Sequence, residues 1–142
     1  MAATILEPDT DPEVLATYDV MRQLRPHLTR EEYLRAVRRL MEAEGYRLAA
    51  LVEDGHVRAV AGYRFMEMLY CGRFLYLDDF VTDERVRSRG YGQQLLDWLK
   101  ATARSNGCRE LHLDSRLHRE AAHRFYEREG VEKTCYHFAA VL

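Results

Sequence analysis

The stretch Arg87-Ser88-Arg89-Gly90-Tyr91-Gly92 is the most informative part of the sequence. It joins an apolar run typical of a strand (residues 74–82) to an amphipathic run typical of a helix (residues 93–103). The first N–H groups of a helix have no partners within the helix, and the helix dipole is positive there. The two glycines remove side chains that would block an anion, and the two arginines add charged donors. The stretch therefore predicts a site where backbone N–H groups bind a phosphate.

Two common phosphate-binding folds do not fit this stretch. A dinucleotide-binding Rossmann turn would need a third glycine where Leu95 stands, and a P-loop would need Gly-Lys-Ser/Thr, which does not follow. The two-glycine turn alone is also compatible with an ordinary turn, so the rest of the chain has to identify the ligand.

Composition predicts one soluble domain over residues 1–142. Hydrophobic residues make up 47% and charged residues 31% of the 142, and the net charge of -2 gives no general electrostatic case for nucleic acid. Three widely spaced cysteines without a CxxC pair predict a reduced, cytoplasmic chain. No apolar run approaches the length of a membrane span, and the start resembles no signal peptide.

The periodicity on either side of the loop predicts an α/β (α+β) fold with the order β-α-α-β-β-β-α-β-α-β. The first strand covers residues 4–6. Asp11-Pro12 predicts the start of a helix that Pro26 ends or kinks, and Thr29-x-x-Glu32 predicts a capping box for the second helix. Strands flank the Asp54-Gly55 turn. The predicted later elements are strands at 46–53, 57–65, 74–82, 110–114 and 134–142 and helices at 93–103 and 119–129. We expect a mixed, mostly antiparallel sheet with helices on its faces.

With these elements in place, the chain resembles the GNAT family of N-acetyltransferases. That family has Arg/Gln-x-x-Gly-x-Gly/Ala between a long strand and a helix, which stands here as Arg87-x-x-Gly90-x-Gly92. The resemblance continues upstream through YLDDFVT at residues 76–82 and downstream through FYEREGV at residues 125–131. It covers nearly the whole chain and implies a GNAT-like sheet, with acetyl-coenzyme A as co-substrate.

The resemblance also implies where the coenzyme would bind. The backbone of Arg87, Ser88, Arg89, Gly90, Tyr91 and Gly92 would hold its pyrophosphate. The strand end at Phe80, Val81 and Thr82 would pair with its pantetheine arm. Many members carry an Asn where Arg119 stands here. Arg119 could bind a cofactor phosphate instead, or simply be an exposed residue at a helix start.

Asp78 and Asp79 are the candidate bases. An amine is mostly protonated at neutral pH, and a carboxylate can attract the ammonium and accept its proton. Strand alternation predicts that only one of the two faces a given cleft. The resemblance places Asp78 at the family's acid position, and a shift of one residue would favour Asp79. The alternative for both is an acid at a strand end that is bonded to backbone or arginine.

Tyr126 is the candidate acid. In the family the tyrosine of this motif protonates the departing thiolate. The alternative is a core aromatic on the helix stripe, and the two roles can coexist. His112, His118, His123 and His137 show no ligand spacing, so no metal site is predicted.

The function expected from the resemblance is acetyl transfer to a primary amine by direct attack in a ternary complex. A backbone N–H near Phe80 would polarise the thioester carbonyl. The acceptor, a small molecule or a protein amine, would lie against the first two helices, their connection at residues 25–29 and the final strand. The alternatives are a non-catalytic coenzyme A-binding sensor on the same fold and an interaction protein without cofactor. A homodimer is compatible with the family.

Overall fold

Five strands and five helices make up the computed structural model, which describes residues 3–142. The elements are β1 (Thr4–Leu6), α1 (Asp11–Ala16), α2 (Tyr18–Leu24), α3 (Arg30–Glu44), β2 (Arg47–Glu53), β3 (His56–Met68), β4 (Gly72–Thr82), a 3-10 turn (Glu84–Val86), α4 (Tyr91–Ser105), β5 (Glu110–Leu113) and α5 (Glu120–Arg128). The strands form one sheet in the order β1-β2-β3-β4-β5, and β1 to β4 pair antiparallel. The predicted fold class, a mostly antiparallel sheet flanked by helices, is confirmed.

The first predicted helix is two helices. Thr17 ends α1 and begins α2, and its buried hydroxyl donates to the Val14 carbonyl oxygen at 2.6 Å. A threonine hydroxyl that bonds to its own preceding turn competes with the helical ladder, which explains the break. The helix starts at Asp11 as predicted, and Thr10, the residue before it, is the N-cap and forms a capping box with Glu13.

The helices cover the sheet with two groups of apolar side chains. From α1 to α3, Val14, Met21 and Tyr33 pack in one cluster with strand residues that include Val60. From α4, three leucines that are 0% exposed (Leu95, Leu96 and Leu99) face the sheet. Complete burial of one such side chain contributes about 1.5–3 kcal/mol to folding. The core therefore fixes both β4 and the start of α4, the two elements that the loop joins.

The chain divides into two compact units, the first ending at His112 and the second running from Leu113 to Leu142. The second unit contains α5, but the strand predicted at residues 134–142 is wrong. Residues 131–142 form neither helix nor strand, and Tyr136 and Phe138 are 74% and 91% exposed. A strand needs a neighbour to take its backbone hydrogen bonds, and no strand in the described part of the chain pairs with this segment. Its alternating aromatic residues alone do not make it a strand.

Among residues 3–142, no helix is long and apolar enough to cross a membrane.

Candidate active site

A β-bulge lies at the candidate acids. In the β3–β4 ladder, Gly62 is opposite Asp79 and Tyr63 is opposite Leu77, so Asp78 is an extra residue on β4. Side chains do not alternate regularly across a bulge. Strict alternation, on which the expectation of one acid for each cleft was based, does not hold at this point of the sheet. Spacing alone could not reveal the bulge, because it is a property of the pairing between two strands.

Asp79 receives two hydrogen bonds from side chains outside its strand. The Tyr46 hydroxyl donates to Asp79 Oδ2 at 2.7 Å, and Arg25 Nε donates to Asp79 Oδ1 at 2.8 Å. The Asp79 side chain is 15% exposed and that of Arg25 is 42% exposed. Burial, together with the negative charge of Asp79, raises the pKa of Tyr46 well above its ordinary value of 10.0. Tyr46 therefore stays protonated at neutral pH and remains a donor to the carboxylate.

Gly62 provides the space that Tyr46 needs. A Cβ atom at position 62 would overlap the Tyr46 ring and hydroxyl, with Tyr46 Cε1 only 2.7 Å away. Gly62 lies directly opposite Asp79 in the ladder, so the tyrosine ring crosses the strand at the acid. A glycine inside a strand often marks such a close approach. Gly62, a glycine within a predicted strand, was therefore the signal in the sequence for the contact between Tyr46 and Asp79, and the motifs did not reveal it.

Asp78 lies in a different setting. Arg64 Nε donates to Asp78 Oδ1 at 3.1 Å, and both side chains are about three-quarters buried, at 26% and 22% exposure. Burial raises the pKa of Asp78 above its ordinary value of 3.8, although Arg64 opposes this shift. Its backbone carbonyl oxygen accepts from Arg25 Nη2 at 3.1 Å. Arg25 thus bridges the two aspartates, one through its carboxylate and the other through its backbone.

A cavity of about 300 Å³ opens beside Asp79. Its apolar walls come from α2, α3 and their connection, and include Met21, Leu28, Val37 and Leu40. Its polar lining consists of Arg25, His27, Tyr33, Tyr46 and Asp79. Of the two candidate acids, Asp79 is the one that lines the cavity.

The loop before α4 has the backbone form expected of an anion site. Ser88 and Gly90 both adopt the left-handed conformation, with φ values of 67° and 81°. Gly90 is the N-cap of α4 and supplies no side-chain hydrogen bond, so the cap residue satisfies none of the first-turn N–H groups. Arg87 and Arg89 are exposed beside it. Successive turns of this kind aim backbone N–H groups into one concavity.

Neighbouring side chains hold this loop in place. The Tyr91 hydroxyl donates to Glu53 Oε1 at 2.6 Å, which ties the first residue of α4 to the last residue of β2. Asp83 is buried and caps the 3-10 turn by accepting a hydrogen bond from the Arg85 backbone N–H. The Arg85 side chain, which bonds to Asp83, holds the pKa of that carboxyl far below its ordinary value.

The end of β4 continues directly into this loop. Phe80, Val81 and Thr82 pair with β3 opposite Ala61, Val60 and Ala59. The Asp83 N–H donates to the Arg58 carbonyl oxygen at 2.8 Å and extends the pairing into the 3-10 turn. These contacts fix the direction in which the chain leaves the sheet.

The second unit carries Arg119 and Tyr126. Arg119 is the exposed N-cap residue of α5, and Tyr126 is half-buried on the same helix two turns later. Burial raises the pKa of Tyr126 above 10.0, and the positive charge of Arg119 partly offsets this shift. Phe125 packs edge-on against the tyrosine ring at 5.4 Å. Tyr126 is therefore protonated at neutral pH.

Three possible metal ligands lie together away from the acids. The ligand atoms of Cys71, Glu110 and His112 are all within 4.8 Å of one another, and His112 Nε2 lies 2.7 Å from Glu110 Oε1. No spacing rule could have grouped them, because β5 lies next to β4 in the sheet and Cys71 immediately precedes β4. That the protein uses no metal ion stays a prediction.

Comparison with known proteins places the chain in a family. The model of the acetyltransferase (GNAT) family matches residues 14–131, which spans both units. The uncharacterized N-acetyltransferase YhdJ of Bacillus subtilis is 38% identical over 78% of this chain and 78% of its own. An aminoalkylphosphonate N-acetyltransferase of Salmonella typhimurium is 30% identical over 68% of this chain and 62% of its own.

Solved structures share the fold at low sequence identity. The aminoglycoside N-acetyltransferase AAC(6')-Iy, in complex with CoA, matches with a TM-score of 0.87 at 16% identity, covering 99% of this chain and 95% of its own. Glucosamine-6-phosphate N-acetyltransferase of Arabidopsis thaliana gives a TM-score of 0.77 at 19% identity, covering 99% of each chain. Because the family model spans most of the chain and a close relative covers more than two thirds of it, the protein belongs to the GNAT family and is an acyltransferase of the N-acetyltransferase type.

Proposed function

We propose that the protein transfers the acetyl group of acetyl-coenzyme A to a primary amine of a small molecule by direct attack in a ternary complex. The observation that carries this proposal is the loop before α4, where left-handed Ser88 and Gly90 precede a helix start that its cap residue leaves unsatisfied. The family membership supplies the chemistry. The Salmonella relative is named for a small amine acceptor, which supports a small molecule over a protein.

The loop would bind the pyrophosphate of coenzyme A. A Cβ atom at Gly90 would meet no atom within 4 Å, so the space beside this residue is open. Backbone N–H groups there would bind the phosphate oxygens, and Arg87 and Arg89 would add charge. Arg119 is a second candidate phosphate ligand in the other unit. The structural neighbour in complex with CoA supports this choice of ligand.

The end of β4 would position the thioester. Its backbone at Phe80, Val81 and Thr82 would bind the pantetheine arm, and a backbone N–H near Phe80 would donate to the thioester carbonyl oxygen as negative charge develops there. The β3 pairing that holds this segment would keep the donor in a fixed position. Positioning of this kind can supply much of the rate enhancement.

Asp79 would bind and deprotonate the acceptor. It lines the cavity, and Tyr46 and Arg25 keep its carboxylate oriented. The ammonium would donate its proton to this carboxylate, directly or through a water molecule, and the freed nitrogen lone pair would attack the acetyl carbon. A C–N bond forms, the C–S bond breaks, and the nitrogen loses its second proton to water, so that the products are an amide, a thiol and one released proton. Asp78, with a pKa that burial raises, is the alternative proton acceptor.

Tyr126 would protonate the departing thiolate. Its raised pKa keeps the phenol protonated until the thiolate appears, and the phenol would then recover its proton from water. This role is taken from the family motif at residues 125–131.

A binding and turnover measurement tests the proposal. Acetyl-coenzyme A at 100 times its Kd should stabilise the native state by about 2.7 kcal/mol. Thiol release should follow when primary amines are added. No thermal shift at millimolar acetyl-coenzyme A would refute coenzyme binding. A shift without thiol release across a broad amine panel would refute catalysis and favour a sensor.

A further inference from the structure

We propose that the acceptor is a short zwitterion, a small molecule that carries a primary amine and a carboxylate or phosphonate group a few bonds apart. This inference rests on the proposed function and identifies the class of its amine substrate. It follows from the charges that line the cavity beside Asp79, and from the way in which Arg25 is held there.

The cavity is suited to a small molecule. Its volume of about 300 Å³ is at the lower end of the range for ligand sites in proteins. Its walls are mostly apolar, with Met21, Leu28 and Leu40 among them, and can pack against a short carbon skeleton. A large polycationic acceptor would find only one carboxylate, Asp79, among the described lining residues.

The charges in the cavity form a single opposed pair. Asp79 is the only carboxylate among the described lining residues, and the guanidinium of Arg25 lies 2.8 Å from it. A simple ammonium ion placed against Asp79 would therefore also lie close to the positive charge of Arg25. Attraction and repulsion would be of similar size, because both charges are at similar distances.

A zwitterion avoids this conflict. Its ammonium group would face Asp79 while its acid group faced Arg25, so that each ligand charge meets an opposite protein charge. Because Arg25 and Asp79 are in direct contact, the two ligand charges must also be close together. This condition favours two or three bonds between amine and acid over the long spacing of a polyamine.

Arg25 retains donors for such an acid group. Two of its nitrogens already donate hydrogen bonds, Nε to Asp79 and Nη2 to the carbonyl oxygen of Asp78. A guanidinium has five N–H donors in a fixed planar arrangement, which suits paired acid oxygens. The Arg25 side chain is 42% exposed and lines the cavity, so part of this planar edge faces the space where the ligand would lie.

The test is a selectivity measurement on the full chain with acetyl-coenzyme A. The acceptors are 2-aminoethylphosphonate and β-alanine as zwitterions, and propylamine and putrescine as amines without an acid group. If the acid group forms a charged hydrogen bond with Arg25, kcat/KM for the preferred zwitterion should be about tenfold or more above that for propylamine or putrescine. The two zwitterions show whether the acid is a phosphonate or a carboxylate.

Two variants separate the role of Arg25 from general effects. In Arg25→Gln, the ratio of kcat/KM for the zwitterion to kcat/KM for propylamine should fall toward one, mainly because the KM for the zwitterion rises. Arg39→Gln, at an exposed residue of α3 outside the cavity lining, should keep the preference. Equal or better use of propylamine by the wild type, or an unchanged preference in Arg25→Gln, would overturn the inference while leaving acetyl transfer intact. No acetylation of any amine would refute the proposed function itself, and with it this assignment.

Discussion

Replacing Gly62 with alanine should disturb the contact between Tyr46 and Asp79. The new Cβ atom would lie 2.7 Å from Tyr46 Cε1 and closer still to the end of the ring. The ring must therefore move by about 1 Å to reach normal carbon contacts. A hydroxyl displaced by that distance from its 2.7 Å bond to Asp79 no longer forms a proper hydrogen bond.

Three contributions determine the expected change in stability. Overpacking costs about 1–3 kcal/mol, and loss of a hydrogen bond to a charged group costs about 1.5–3 kcal/mol. Alanine in place of glycine in a strand returns about 0.5–1 kcal/mol. We expect the free energy of unfolding to fall by about 2–4 kcal/mol, as measured by urea denaturation.

A second variant identifies the cause. In a Tyr46→Ala background the ring is absent, so adding Gly62→Ala should be neutral or stabilising by up to about 1 kcal/mol. If Gly62→Ala leaves the wild-type protein as stable as before, the ring does not cross the strand at this point. If it destabilises both backgrounds equally, the backbone rather than Tyr46 is responsible.

Three further variants test the loop, the acid and the cap. Gly90→Val should weaken acetyl-coenzyme A binding in a calorimetric titration. The control is Gly107→Val, also at a positive φ but at the other end of α4, which should strain the backbone and keep the affinity. Equal affinities of the two variants would refute the backbone site. Tyr126→Phe should lower kcat more than it raises the KM for the coenzyme. Tyr136→Phe, at an exposed tyrosine of the same unit, should change neither constant. Unchanged turnover in Tyr126→Phe would mean that Tyr126 serves only in packing. Asp83→Asn should lower Tm at pH 7. Because the pKa of Asp83 lies far below its ordinary value of 3.8, the stability it contributes is present above that pH and is lost as the pH falls below it, so the deficit should shrink below about pH 4; a deficit independent of pH would refute the ionic role.

The sequence predicted the features that depend on local chemistry. The capping box at Thr29 and the hairpin at Asp54-Gly55 each involve neighbouring residues, and the structure confirms both. The loop at residues 87–92 also involves one short segment, so its left-handed turn and its position before α4 could be expected from the glycines.

The features that sequence analysis missed depend on pairing between distant segments. The bulge at Asp78 exists only in register with Gly62, and the partners of Asp79 come from α2–α3 and the start of β2. The motif at residues 76–82 contains both Asp78 and Asp79, but only the fold shows that Arg25 and Tyr46 both bond to Asp79. The predicted strand at residues 134–142 failed for the same reason, because alternation of side chains cannot supply a partner strand.

Acetyl transfer to an amine can be measured by following the acetyl group itself. Acetyl-coenzyme A labelled in the acetyl group is incubated with the protein and with the four amines named above, and the products are identified by mass spectrometry. Labelled N-acetyl product should form only when protein is present, and in step with thiol release. Loss of the label to free acetate, without any acetylated amine, would contradict it.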